Sequence, residues 1–216
     1  MPDSAYITIS VAMFTIINDD LKAILIHRSK APFLWYRALP WWYLLSDKSA
    51  EQTIMLKLFH KIGVLNPYLE QLHVFTDPYR DSRYRAINIA YLSAGIYNNL
   101  KDVSHYGEVS VHSVRKLPQL AFDHQEVISY AHHTLKQKLI QSNIAQFFLP
   151  KQFTLTELQR VYDCIQWIKS DVRNFRNFIK KHSSIRDTGK NQSHVWHRPA
   201  RLYEFISRDI KTSDYI

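Results

Sequence analysis

Residues 153–182 read FTLTELQRVYDCIQWIKSDVRNFRNFIKKH, and this stretch determines the fold of the last third of the chain. Thr154 is followed three residues later by Glu157, which is a capping box, because each side chain can satisfy a free N–H group at the start of a helix. The apolar residues that follow recur at helical spacing and predict an amphipathic first helix. Ser170 is expected to cap a second helix over residues 170–182.

The second predicted helix divides into an apolar face and a polar, basic face. The residues expected to face inward are Val172, Phe175, Phe178 and Ile179. In a helix-turn-helix the second helix enters the major groove, where arginine pairs with guanine, asparagine with adenine, and lysine meets phosphate. The candidate DNA-binding residues on it are Arg173, Asn174, Arg176, Asn177, Lys180 and Lys181. The alternative is a basic face that is simply solvated.

The segment after this helix predicts the wing of a winged helix. Beyond Gly189 the chain is polar as far as His197 and continues as RPARLYEF over residues 198–205. We interpret these two stretches as a turn followed by a short strand. Arg198 and Arg201 lie near that strand and are further candidates for contact with the minor groove or the DNA backbone.

The charge of the chain favours a polyanionic partner. Its 28 Lys and Arg against 19 Asp and Glu give a formal net charge of +9, with a sequence pI of about 9.5. Residues 150–216 contain 13 basic and 7 acidic residues, so this last third contributes +6 of the net charge. Together with the helix-turn-helix pattern, this charge makes double-stranded DNA the expected partner.

The cysteine content and the first residues of the chain favour a cytoplasmic protein. Cys164 is the only cysteine, which excludes an intramolecular disulfide and a thiolate metal site. The apolar run over residues 5–17 lacks a basic flank and is too short to span a bilayer. We interpret this run as a β-strand and expect no membrane association.

The first two thirds of the chain predict mixed sheet and helix. Asn18, Asp19 and Asp20 form a turn between two strands. The expected strands lie at residues 6–17, 21–27, 35–45 with an interruption at Pro40, 69–75 and 86–94. The expected helices lie at residues 49–62, ended by Gly63, and at 124–141, a connecting or interface helix. His132 and His133 on that helix are interpreted as surface residues rather than metal ligands.

Residues 38–64 resemble the Nudix box, with Gly63 and Val64 fixing the register. The family's first Gly, isolated Glu, Arg-Glu and Glu-Glu then fall on Trp42, Lys48, Leu56-Lys57 and His60-Lys61. Nudix hydrolysis needs Mg²⁺ held by carboxylate oxygens, and Glu51 is the only acid in the predicted helix of this segment. The resemblance therefore predicts a catalytically degenerate domain with no catalytic residue, no metal and no other cofactor.

The cations of this part leave two interpretations open. Lys57 and Lys61 are one helical turn apart and form either a solvated face or a site for an anionic effector. Arg80 and Arg83, in a loop with Asp81, form either a phosphate clamp or mutual salt bridges and a dimer contact. The candidate effector-binding residues are Arg37, Lys57, Lys61, Arg80 and Arg83.

Residues 68–83, YLEQLHVFTDPYRDSR, are similar to the Nudix-related transcriptional regulators of the NrtR type. The likeness continues in order through residues 122–141, 149–159, 173–176 and 198–203. It implies a dimeric bacterial regulator, usually a repressor, whose Nudix-like domain senses a metabolite, often ADP-ribose, in the control of NAD biosynthesis; relatives sense sugars. The sequence departs from the family at Trp41, Trp42 and the missing glutamates.

These observations together predict an α+β protein of two domains. A Nudix-like mixed β-sheet and helix sandwich over residues 1–148 would sense the effector and form a homodimer. A winged helix-turn-helix over residues 149–216 would bind an operator, and the dimer would require a roughly palindromic site. The competing functions are a residual Nudix-type hydrolase and a protein-interaction module that does not bind DNA.

Overall fold

The computed structural model describes residues 4–62, 67–96, 109–182, 184–193, 196 and 199–206. The strands are β1 (Tyr6–Ile17), β2 (Asp20–His27), β3 (Arg37–Ala38), β4 (Trp41–Tyr43), β5 (Tyr68–Phe75), β6 (Ala86–Ala94), β7 (Val109–Ser113), β8 (Ile185–Asn191) and β9 (Arg201–Phe205). The helices are α1 (Ala50–Ile62), α2 (His124–Gln141), α3 (Leu155–Gln166) and α4 (Val172–His182), with short 3₁₀ turns at Val114–Lys116 and Ile144–Phe148. No helix within these ranges has the length and apolarity needed to cross a membrane.

Strands β1 to β7 form one mixed sheet. Its main order is β3-β2-β1-β6-β5, with β4 paired to β1 and β7 paired to β2. β1 and β2 are joined by a tight turn in which Asn18 and Asp19 have φ values of 52° and 56°. Two consecutive left-handed residues match the turn whose twist suits a β-hairpin. β1 also runs parallel to β6, from the pair Tyr6–Ala86 to the pair Phe14–Ala94.

The sheet is packed between two helices, as the predicted sandwich requires. Alternate side chains of β1 point to opposite faces because a strand has a period of two. Ile9, Val11 and Met13 belong to the apolar cluster that contains Ile54 and Leu58 of α1. Ala12 and Phe14 belong to the opposite cluster, which contains the buried residues of α2. The mixed sheet with flanking helices confirms the predicted fold class.

The C-terminal helices pack on a small hairpin. The capping box at the start of α3 is confirmed, since Glu157 N donates to Thr154 Oγ1 at 3.2 Å and Thr154 N donates to the Glu157 carboxylate at 2.7 Å. β8 and β9 pair antiparallel, and Phe153 is tied to Tyr203 by backbone hydrogen bonds of 2.9 and 2.7 Å. The arrangement is a helix-turn-helix followed by a two-stranded wing.

The start of α4 differs from the prediction in two respects. Ser170 does not cap the helix, because its hydroxyl donates to the Asp163 carboxylate at 2.6 Å. Asp171 supplies the cap instead, accepting from Asn174 N at 2.9 Å. Val172 was expected to face inward but is 51% exposed. It lies in the first turn of α4, ahead of Phe175 and Ile179, whose side chains are buried.

The structure also differs from the expectations at strand β7, strand β8 and His132. Strand β7 was not predicted, and β8 includes residues that were interpreted as turn. His132 is not a surface residue, because it is buried and hydrogen-bonds to Ile165 O at 2.8 Å. The helix cap predicted at Gly63 lies outside the described residues.

Candidate functional sites

Helix α4 presents one packed face and one exposed face. Phe175 and Ile179 are buried, and the ring of Phe175 lies 5.3 Å from that of Tyr162 on α3. The predicted DNA-binding residues of this helix are all exposed: Arg173, Asn174, Arg176, Asn177, Lys180 and Lys181. The structure thus brings six polar donors together on the solvent side of the second helix of a helix-turn-helix.

Hydrogen bonds fix the turn that leads into α4. Asp163 accepts from the backbone N–H of Ser170 at 3.1 Å and from its hydroxyl at 2.6 Å. Gln159 donates to Ser170 O at 2.8 Å. Both partners lie on α3, so this helix sets the start of α4 through polar contacts as well as through its apolar face.

The wing carries one predicted residue that the structure describes. Arg201 Nη1 lies 2.7 Å from the Asp187 carboxylate across the β8–β9 pair. The backbone N–H of Gly189 and this guanidinium hold the pKa of Asp187 below its ordinary value. Gly189 has a φ of 73°, a conformation that other residues rarely adopt. Arg198, also predicted, lies outside the described residues.

The carboxylate that remains near the former Nudix site is already bound to other side chains. Glu51 accepts from the Tyr91 hydroxyl at 2.6 Å and from the Ser49 hydroxyl at 3.0 Å. Burial favours the protonated acid, but these hydrogen bonds outweigh it and hold the pKa of Glu51 below its ordinary value. The described ranges contain no group of three or more His, Cys, Asp or Glu placed to hold a metal. The single carboxylate of Glu51 does not fit Mg²⁺, which prefers several oxygen ligands.

The two tryptophans of the segment that resembles the Nudix box lie on one strand. Trp41 and Trp42 lie on β4, opposite Ser10 and Ile9 of β1. Trp42 packs against the apolar cluster under α1. Lys57 is half-buried on α1, and Lys61 belongs to the same helix, but its side chain lies outside the described residues.

The charged loop forms salt bridges. Arg80 makes two hydrogen bonds to Asp123, at 2.8 and 2.7 Å, and its side chain is only 5% exposed. Arg83 makes two bonds to Asp81, at 2.9 and 2.7 Å. The sequence left open whether this loop forms a phosphate clamp or salt bridges, and the structure contains salt bridges. Arg83 retains 30% side-chain exposure and so can still meet a ligand.

A second arginine beside Arg83 was not predicted. The guanidinium of Arg28 lies 4.6 Å from the Phe122 ring centroid, and that of Arg83 lies 5.3 Å from the same ring. Arg28 also donates to Pro32 O at 2.8 Å. Burial and the nearby Arg83 lower the pKa of Arg28. No local signal in the sequence marks this residue, because its aromatic partner is distant along the chain. Two guanidiniums therefore lie against one ring, and that of Arg83 is also paired with Asp81.

The aromatic side chains continue from this pair to an open cleft. Tyr84 lies under Arg83, 4.7 Å from its guanidinium, and its hydroxyl is hydrogen-bonded to that of Tyr43. The cleft has a volume of about 570 Å³ and is lined by Ala5, Tyr6, Ile7, Tyr43, Leu44, Leu45, Ser46 and Lys48. Arg37 lies on β3, opposite His27, and its carbonyl accepts from Ala121 N at 2.8 Å.

The two parts of the chain define a class of protein. A winged helix exposes a basic second helix, and it is joined to a Nudix-type sandwich in which the expected carboxylates are replaced. Such a molecule is a DNA-binding transcriptional regulator with a Nudix-fold sensor domain.

Comparison with known proteins gives the family. Residues 145–205 match the model described as the NrtR DNA-binding winged helix domain. The chain is 29% identical to the "ADPR responsive transcriptional repressor NtrR" of Acinetobacter baylyi, over 95% of this chain and 84% of that one. It is 31% identical to NrtR of Shewanella oneidensis, solved with a 27mer DNA, with a TM-score of 0.80 over 92% of this chain and 93% of that one. The chain belongs to the NrtR family of transcriptional regulators.

The chain is also similar to an enzyme. It is 30% identical to an ADP-ribose pyrophosphatase of Methanocaldococcus jannaschii, over 57% of this chain and 73% of that one. The chain is therefore similar to regulators along most of its length and to a hydrolase over a little more than half of it.

Proposed function

We propose that this protein is a cytoplasmic repressor that binds a palindromic operator as a homodimer and responds to ADP-ribose. Residues 149–216 bind the DNA, and residues 1–148 bind the effector and form the dimer. The observation that carries the proposal is the division of α4, with Phe175 and Ile179 buried and its basic and amide side chains exposed. The relatives described as an ADPR-responsive repressor and as an NrtR–DNA complex support it.

In this proposal α4 reads the major groove. Arg173 and Arg176 have the geometry for two hydrogen bonds to guanine, while Asn174 and Asn177 suit adenine or the backbone. Lys180 and Lys181 contact phosphates, and Arg198 and Arg201 extend the contact from the wing. The net charge of +6 over residues 150–216 supports this assignment.

Selection of genomic fragments tests DNA binding. The purified protein is incubated with fragmented DNA of its source, and the fragments retained at moderate salt are sequenced. We expect a few palindromic sites beside genes of NAD or sugar metabolism. Uniform recovery would contradict the proposal. At the selected site, Arg176→Ala should cost about 1–3 kcal/mol and relax the preference at one base pair, whereas Lys30→Ala, an exposed cation of the sheet domain, should leave both unchanged.

We place the effector beside the paired arginines. The phosphates of ADP-ribose suit the exposed edge of Arg83, and a planar base suits the neighbouring aromatic rings. Arg80 is engaged by Asp123 and so holds the loop in place. Arg37, Lys57 and Lys61 remain candidates for further contact. Calorimetric titration with ADP-ribose should show binding that Arg83→Ala weakens at least about tenfold, the loss expected for one charge-assisted contact; equal affinity would contradict this site.

Loss of hydrolysis is part of the same proposal, and residual hydrolysis is the second candidate. The Glu51 carboxylate is held by the Tyr91 hydroxyl and the expected glutamates are replaced, which favours loss of hydrolysis. The similarity to a pyrophosphatase favours residual hydrolysis. ADP-ribose incubated with the protein and Mg²⁺ should remain intact. Release of AMP that chelation abolishes would establish the hydrolase instead.

A further inference from the structure

The turn between α3 and α4 is fastened to the sensor domain. Trp167 ends α3 in a left-handed conformation, with a φ of 61°. Its ring lies 4.2 Å from the imidazole of His132 on α2. The same imidazole donates from Nε2 to Ile165 O at 2.8 Å, since a carbonyl can only accept. The last turn of α3 is therefore bonded to α2 through one buried histidine.

Two cations of the sensor domain lie against the same indole. Lys136 of α2 places its ammonium 4.4 Å from the Trp167 ring centroid, and the guanidinium of Arg115 lies 5.6 Å from it. A cation over an indole contributes roughly 0.5–2 kcal/mol, depending on its exposure. Arg115 belongs to the 3₁₀ turn that directly follows β7, and β7 pairs with β2 of the sheet. Trp167 is thus where α2, the edge of the sheet and the DNA-binding unit meet.

Hydrogen bonds also hold the turn that leads from Trp167 to α4. Ser170 is bonded to Asp163 and Gln159 of α3, and Asp171 caps α4. Two more contacts bind α3 to α2, from Tyr162 to Leu139 O at 2.9 Å and from Gln166 to Lys136 O at 3.1 Å. Hydrogen bonds therefore connect α2 to α3 and α3 to the start of α4, and these are the contacts that a coupling between the two parts would need.

We propose that Trp167 is the positioning residue that couples the sensor domain to α4, with Arg115 and Lys136 as the groups through which the sheet and α2 act on it. The inference rests on the proposed function, because it needs an operator and an effector. When this contact is weakened, α4 samples positions that do not fit the major groove. Operator affinity then falls in proportion to the fraction of molecules that keep α4 in the binding position.

Matched single substitutions test the coupling. Arg115→Ala and Lys136→Ala remove one cation each from the indole, while Lys116→Ala removes the same charge one position away. Operator affinity is measured with and without ADP-ribose. We expect Arg115→Ala and Lys136→Ala to weaken operator binding about fivefold or more. The ratio of operator affinities measured with and without ADP-ribose should move towards one in both variants. Lys116→Ala should behave as the wild type.

Three readouts separate coupling from DNA contact and from loss of folding. The dependence of log Kd on log salt should keep its slope in Arg115→Ala, because no phosphate contact is lost. The affinity of the DNA-free protein for ADP-ribose should not change. Trp167→Phe, which retains a ring, should keep more of the response than Trp167→Ala, and the two cation variants decide the matter if Trp167→Ala does not fold.

The outcomes distinguish the coupling from the proposed function. If the wild type binds its operator but Arg115→Ala and Lys136→Ala match Lys116→Ala in affinity and response, the coupling is wrong and the function stands. If the wild type selects no operator, the proposed function is wrong and the coupling fails with it.

Discussion

His124 is a buried base that stays neutral in the folded protein. Its Nδ1 accepts a hydrogen bond from Leu39 N at 3.0 Å. Burial lowers the pKa of His124 to about 3, and the nearby Arg80 and Arg28 act in the same direction. An exposed histidine titrates near 6.5, so between pH 6.5 and 3 the unfolded chain binds a proton that the folded chain does not. The free energy of unfolding therefore falls as the pH falls through this range.

His124→Asn should reduce this pH dependence. The amide oxygen of Asn can accept from Leu39 N but does not titrate, so the variant should lose a slope of up to about 1.4 kcal/mol per pH unit between pH 6 and 4.5. Urea unfolding at several pH values measures it. His133→Asn, an exposed site on the same helix, serves as control. An unchanged slope in His124→Asn would show that the proton is taken up elsewhere.

Helix α4 depends on a cap that the sequence did not identify. Asp171→Ala removes the acceptor for Asn174 N, and such losses cost about 0.5–2 kcal/mol. We expect faster hydrogen exchange in the first turn of α4 and weaker operator binding. Asp171→Asn keeps an acceptor oxygen and removes a negative charge near the DNA, so its operator affinity should equal or exceed that of the wild type. Equal losses in both variants would assign the effect to the charge rather than to the cap.

Elements with strong local signals were predictable from the sequence. The β1–β2 turn, α2 and the capping box of α3 follow from residues close together in the chain. β8 reads IRDTGKN, which has little strand character, and its extended form comes with its pairing to β9. The choice of Asp171 over Ser170 as cap depends on Asp163, which already holds the Ser170 hydroxyl.

The residues of the two candidate sites were predictable where a local pattern marks them and not where only the tertiary fold brings them together. The exposed cations of α4 follow from helical periodicity, because the apolar residues fix which side packs. Arg28 could not be found in this way, since only the tertiary fold brings it to Phe122 and Arg83. Arg83 pairs with Asp81 inside the loop, as one of the two interpretations predicted, whereas Arg80 pairs with Asp123, which lies far along the chain.

The distribution of charge over the molecule predicts strongly salt-dependent DNA binding. Each phosphate contact contributes about −0.9 to the slope of log K against log salt. Lys180→Ala should weaken binding to every duplex alike and reduce the slope by about one per subunit. Arg176→Ala should instead change the preference between sequences. Filter binding at several salt concentrations, with operator and unrelated duplex, separates the two. A Lys180→Ala protein with the wild-type slope would exclude a phosphate contact.

One continuous apolar cluster joins the sheet, α2, α3 and α4. It contains Phe14 of β1, Leu135 of α2, Leu158 of α3 and Ile179 of α4. The sensor and DNA-binding parts therefore share a core. Because the two parts are already packed against each other, a small contact such as that at Trp167 needs only to adjust the position of α4.

The parallel pairing of β1 with β6 has a consequence for the nascent chain. β2 leaves the ribosome soon after β1 and can cover one of its edges, but residue 94 is added roughly 4 to 16 s after residue 14 at ordinary rates of translation. Throughout that interval the other edge of a long apolar strand offers unpaired N–H and C=O groups to any neighbouring polypeptide. The strand at the centre of the finished sheet is thus an exposed edge during synthesis, where a chaperone could cover it.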